Sequence, residues 1–87
     1  MGLRYVDKCP DCGQGLVLIM KDLLTNKLIL ICDDCETIWR DPELFYNGDG
    51  RLPFDEKVEL TENVSVDEIT AEGWEKFVKN MDAPINI

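Results

Sequence analysis

Four of the 87 residues are cysteines, and they form two pairs of identical spacing, Cys9-Pro10-Asp11-Cys12 and Cys32-Asp33-Asp34-Cys35. Two residues between thiols let the chain curl so that both sulfurs reach one cation, and a second, distant pair completes a tetrahedron. Nineteen residues separate Cys12 from Cys32, enough for a hairpin that carries the second pair back to the first. Gly13 follows the first pair and can take positive φ, while Pro10 stiffens the entrance to the turn. The expectation is one zinc ion held by Cys9, Cys12, Cys32 and Cys35. Four thiolates serve iron equally well, so iron stays open beside zinc at this point.

Other cysteine chemistries fit less well. Structural disulfides need an oxidising compartment, and Met1-Gly2-Leu3-Arg4-Tyr5 lacks the apolar stretch of a secretory signal. The thiols are therefore read as reduced and the protein as cytoplasmic. A thioredoxin-like redox pair opens a helix within a βαβ unit, whereas both pairs here sit at hairpin ends. A four-sulfur shell leaves no open coordination position, so the ion is read as a structural staple. The chain has no histidine, which removes Ser-His-Asp and Cys-His arrangements and the commonest general base. No glycine-rich phosphate loop opens a helix, and Asp33-Asp34 and Asp55-Glu56 read as solvated surface. A binding module is expected, not an enzyme.

Charge is the second chemical signal. Eighteen acidic residues face nine basic ones, a formal net charge of −9. Four thiolates and one divalent cation would bring it to about −11. Such a surface repels nucleic acid, and no run of about 18 apolar residues exists to span a bilayer. The excess is uneven: residues 1–40 hold six acids and five bases, residues 41–87 twelve acids and four bases. If there is a partner, a basic protein is favoured. The candidate partner surface is Asp55, Glu56, Glu59 and Glu62, with Asp67 and Glu68.

The elements that position these groups follow from patterning. Residues 4–7 form a short extended lead into the first cysteine pair. Leu16-Val17-Leu18-Ile19-Met20 and Leu28-Ile29-Leu30-Ile31 are apolar runs of strand character, joined by turn formers Asp22, Thr25 and Asn26. A third strand is expected at residues 36–40, with Trp39 packed inward. Successive apolar positions imply strands covered on both faces, and only the C-terminal half can supply the cover. Asp41-Pro42-Glu43 ends the sheet, Leu44-Phe45-Tyr46 is an apolar cluster, and Asn47-Gly48-Asp49-Gly50 is a tight turn. A calcium loop at that turn fails on spacing, because Arg51 stands where an oxygen ligand is needed. Pro53-Phe54 reads as loop and residues 58–60 as a short edge strand. Ser65 and Glu68 form a capping box, and Thr70 is a second possible N-cap. Trp74, Phe77, Val78 and Met81 then recur at helical spacing, predicting an amphipathic helix of about three turns, with Val66 and Ile69 one turn back. Residues 84–87 are a tail.

The fold class expected is small α+β. A three-stranded antiparallel ribbon at residues 1–41 packs on an acidic extension at residues 42–87 with one amphipathic helix, the two docked as one domain.

Residues 9–39 resemble the zinc-ribbon family, through the Cys9-Pro10-x-Cys12-Gly13 knuckle and the Cys32-x-x-Cys35 knuckle followed by Trp39. The second knuckle departs from that pattern at Glu36, where glycine or a small residue is frequent. More loosely, the order of ribbon, Asp41-Pro42-Glu43, acidic segment and Gly73-Trp74 helix resembles small bacterial zinc-ribbon immunity proteins of toxin systems. That resemblance implies an inhibitor of a basic, nuclease-like toxin. The alternative is a transcription-associated ribbon that docks on polymerase or another factor, in which case residues 21–27 or Trp39 would carry binding.

Overall fold

A computed structural model describes residues 2–53, 56–83 and 85–86. Its elements run β1 (Gly2–Leu3), β2 (Tyr5–Lys8), β3 (Leu16–Asp22), β4 (Lys27–Cys32), β5 (Ile38–Trp39), α1 (Pro42–Tyr46), β6 (Leu60–Thr61), α2 (Val66–Ala71), a 3₁₀ turn at Glu75–Phe77, and β7 (Ile85–Asn86). The class is α+β. The two apolar runs form the longest ladder, β3 against β4, with Val17 opposite Cys32, Ile19 opposite Leu30 and Asp22 opposite Lys27. β5 pairs with β4 so that Trp39 lies opposite Leu30.

The sheet is larger than the three strands expected. β2 and β6 both add to the outer edge of β3, β2 along Leu16–Leu18 and β6 along Lys21–Asp22. A bare edge leaves backbone donors and acceptors unpaired, and these short segments satisfy them. The lead-in at residues 4–7 is therefore a strand, and the expected edge strand lies at Leu60–Thr61. The residues read as a tail also pair, β7 against β1. Pro53 is exposed, whereas Phe54 and Asp55 lie outside the described residues.

The expected long helix is replaced by two short pieces. Ser65 caps α2, its side chain accepting from the Glu68 N–H at 3.1 Å, which is the serine half of the expected capping box; the Glu68 carboxylate lies 3.7 Å from Lys21 instead of closing the other half. The helix then stops, because Gly73 takes φ +74 and the Trp74 and Gly73 amides donate back to the Ile69 and Thr70 carbonyls. These two bonds form a Schellman stop, which the apolar spacing across residue 73 does not reveal. Trp74, Phe77, Val78 and Met81 still face the core, carried by a 3₁₀ turn and irregular chain. A helix also appears where a cluster was expected. Asp41 caps α1, accepting from the Leu44 N–H at 2.8 Å, and Pro42 occupies a first-turn position where it loses no hydrogen bond.

Burial explains why the strands are continuously apolar. Val17, Ile19, Leu28 and Leu30 join Val6, Trp39, Phe45, Ile69 and Trp74 in the main core, while Leu18 and Ile29, on alternate positions, are buried outside it. Ile29 lines an open cleft with Leu52, Val58 and Trp74. Trp39 is buried as expected, edge-on to Phe45 at 4.9 Å. Phe45, Ile69 and Trp74 are thus the plugs that the C-terminal half contributes.

Candidate metal centre and acidic surface

Cys9 follows β2 directly and Cys32 is the last residue of β4, so the sheet itself brings the two pairs together. The two knuckles fold alike. In the first, the Cys9 N–H donates to the Gly15 carbonyl and the Gly13 N–H to the Cys9 carbonyl, at 2.9 and 3.0 Å. In the second, the Cys32 N–H donates to the Thr37 carbonyl and the Glu36 N–H to the Cys32 carbonyl, at 2.9 and 3.2 Å. Gly13 and Glu36 occupy equivalent left-handed positions, φ +69 and +63. Glu36 therefore adopts the turn glycine would take, at a steric cost of about 1 kcal/mol. Asp33 joins the knuckles: its N–H donates to the Leu16 carbonyl and its carboxylate accepts from the Leu16 N–H.

The four sulfurs lie within 4.8 Å of one another, with Cys9 to Cys35 and Cys12 to Cys32 at 3.6 Å. A tetrahedral ion with metal–sulfur bonds of about 2.3 Å separates its sulfurs by about 3.8 Å, whereas a disulfide needs about 2.05 Å. The four cysteines are positioned to bind one metal ion. The local donors fit a thiolate shell: Gly15 donates to the Cys12 sulfur, and Asp34 and Cys35 to the Cys32 sulfur, each at 3.4 Å. Gly15 has no room for a side chain, since a Cβ there would come 2.6 Å from the Cys32 Sγ. Sequence reading passed over this glycine, whose neighbour in space is seventeen positions away.

The thiols are electrostatically unequal. Burial pushes the Cys32 thiol up to about 12 and raises that of Cys9. The Thr37 hydroxyl, 3.2 Å away, leads the donors that lower Cys35 to about 7, and the Gln14 and Gly15 amides lower Cys12. Each knuckle thus supplies one buried and one more accessible sulfur. A cation brought to the site offsets the burial cost, so ion uptake displaces protons.

The opposite end of the β3–β4 hairpin is held by a carboxylate. Asp22 is 4% exposed and accepts from the Glu59 N–H, the Leu24 N–H and the Thr25 hydroxyl at 3.0, 3.0 and 3.1 Å. The Glu59 amide first, with the other two donors, keeps its carboxyl below the usual range against the opposing effect of burial. The Leu23 N–H also donates to the Glu59 carbonyl at 2.7 Å. The acidic segment is thereby clamped to the hairpin turn. Of the expected partner residues, Glu56, Glu59, Glu62 and Asp67 are exposed. Glu68 is half-buried with its carboxylate 3.7 Å from Lys21, so it is engaged within the chain, and Asp55 lies outside the described residues. The Arg51 guanidinium meets the Asp11 carboxylate at 2.7 Å and lies 5.9 Å from the Trp39 ring, tying the first knuckle to the loop after α1.

Among the described residues, no helix is long and apolar enough to cross a membrane. No family model matches the chain, and comparison with curated proteins and with solved structures finds no significant match.

Proposed function

We propose that the chain is a zinc-stapled, zinc-ribbon-type protein-binding module, most specifically an immunity-type protein that binds and neutralises a basic, nuclease-like bacterial toxin in the cytoplasm. The observation that carries this reading is the charge asymmetry: residues 41–87 hold twelve acids against four bases, and Glu56, Glu59 and Glu62 stand exposed on one short segment. A nuclease carries a basic surface for phosphate, and an acidic inhibitor can be steered onto that surface and shield it. The zinc ion is assigned to Cys9, Cys12, Cys32 and Cys35, where it would supply cohesion to a small core and no chemistry. In this reading the chain is not an enzyme and does not bind nucleic acid itself.

The alternative is a transcription-associated adaptor that would dock through the hairpin turn, where Leu23 and Leu24 are 52% and 59% exposed and are available to a partner of either kind. Trp39, the other residue that reading offered, is buried and serves the core. Copurification from the native host, followed by association kinetics, separates the two. The inhibitor reading expects a basic partner whose nuclease activity stops at one-to-one stoichiometry. E56K/E59K/E62K should lower the association rate by about tenfold at low salt. A polymerase subunit or other factor without toxic activity supports the adaptor instead, and parent-rate association of the triple variant contradicts electrostatic steering.

A further inference from the structure

We propose that Leu23 and Leu24 form the apolar anchor of the partner interface, and that they enter a pocket rimmed by basic residues on a different protein. The inference rests on the basic-partner reading above and gives it a place and a holding contact. Two adjacent leucines, each more than half exposed, occupy a turn in which polar residues would suffice. The turn is rigid. Asp22 binds the Leu24 amide and the Thr25 hydroxyl, and Asn26 closes the reversal at φ +59. An anchor held this way loses little conformational freedom on binding.

The leucines also border the acidic strip, since Leu23 and Glu59 are joined by a backbone hydrogen bond and Asp22 lies opposite Leu60 in β6. Residues 56–62 carry Glu56, Glu59 and Glu62 against Lys57. Of the neighbouring lysines, Lys21 is engaged by Glu68, whereas Lys27, opposite Asp22 in the ladder, is exposed. Apolar side chains bordered by exposed charge match the anatomy of a protein interface, with an apolar centre and a polar rim. The net charge of −9 opposes a second copy of this chain as the occupant and opposes an anionic membrane as well. The surface lies at the far end of the hairpin from the cysteines, about 20 Å away at the usual rise per residue. The metal site and the binding site are thus separate ends of one element.

The test places a photo-crosslinking phenylalanine derivative at residue 24 of the full-length, metal-loaded chain in its native host, with controls at the exposed positions Glu43 and Lys76. Crosslinked protein is identified by mass spectrometry, purified, and titrated against the parent, L23S/L24S and E56K/E59K/E62K. Zinc content and circular dichroism verify that each variant is folded. We expect a basic protein crosslinked from position 24 and not from the controls, with L23S/L24S dissociating at least about tenfold faster, as for loss of a buried hot spot. No crosslink specific to position 24, a crosslinked dimer of this chain, transfer to lipid, or parent-like dissociation of L23S/L24S each overturns the anchor. A faster-dissociating L23S/L24S beside parent-rate association of the acid reversal keeps the anchor and removes electrostatic steering. The opposite pair of results keeps steering and removes the anchor.

Discussion

The two ends of the β3–β4 hairpin are ordered by different means. At the Leu16 and Cys32 end, four sulfurs and their amide donors converge on one point, where a metal cation would offset the charge of the thiolates. At the Asp22 end, one buried carboxylate receives three donors from within the chain and needs nothing from outside. In the proposed reading the metal end depends on ion supply and on pH near neutrality, whereas the turn end depends on the covalent chain alone. The two ends also differ in exposure: the metal end buries Cys9 and Cys32 and leaves Cys35 at the surface, whereas the turn end exposes Leu23 and Leu24.

Removing a ligand at the metal end should have the largest effect. Cys32→Ser should abolish tight ion binding and cost a large part of the roughly 10 kcal/mol that such sites contribute, unfolding at least the two knuckles; amide exchange of residues 9–16 and 32–37 checks it. Raised thiols at Cys9 and Cys32 also mean that protons compete for the site, so metal affinity in the parent should fall as pH is lowered and rise as pH is raised. Cys32→Ser retaining parent-like metal affinity would break the comparison at its stronger end.

Removing the cover that both ends share comes next. Truncation after Pro42 takes away Phe45, Ile69 and Trp74 and bares Trp39 and Leu30, so the fragment should aggregate or melt well below the parent. The milder Ile69→Ala should cost about 2–5 kcal/mol in denaturant titration. A soluble, monomeric fragment as heat-resistant as the parent would mean that residues 43–87 are not the cover.

At the turn end, Asp22→Asn should cost about 1–3 kcal/mol, the range for disturbing a buried hydrogen-bonded carboxylate, and leave metal content unchanged. Because the folded state holds this carboxyl below its unfolded value of about 3.9, the Asp22 contribution is complete above that pH and is lost as pH falls through the lower, folded value. The parent-minus-variant difference in stability should therefore be full at pH 6 and shrink below pH 4, a comparison in which metal loss is common to both proteins. A constant difference across that range contradicts the role assigned to the charge.

The smallest effect compares the knuckles with each other. Glu36→Gly removes left-handed strain but loosens the unfolded chain, so a gain of up to about 1 kcal/mol is expected, whereas Gly13→Ala should lose about 1 kcal/mol. Clearly unequal costs of a side chain at these two positions would show that the knuckles are not the same turn.

What could be read in advance follows the range of the interactions. The cysteine pairs, the β3–β4 ladder, the Trp39 burial and the Ser65 cap are carried by short spacings, and the chain shows them directly. The helix expected across residues 74–81 failed because its apolar period continues through Gly73, whose positive φ ends α2 while the core still recruits Trp74 and Phe77. α1 was signalled by Asp41-Pro42-Glu43, which marks a helix start as well as a strand end. The placement of β2 and β6 on one edge, the pairing of the termini, and the capping of β2 by Asn80 join residues far apart in sequence, and no local pattern encodes them. Gly15 and Asp22 belong with these, since their importance lies in Cys32 and Glu59.

The most direct measurement is the metal content and thiol count of the full-length chain purified without added metal. About one zinc per chain is expected, with four titratable thiols once the ion is released, and a cobalt-substituted form with the spectrum of a tetrahedral four-thiolate site. A folded, metal-free protein with its four cysteines in disulfides would contradict the metal assignment.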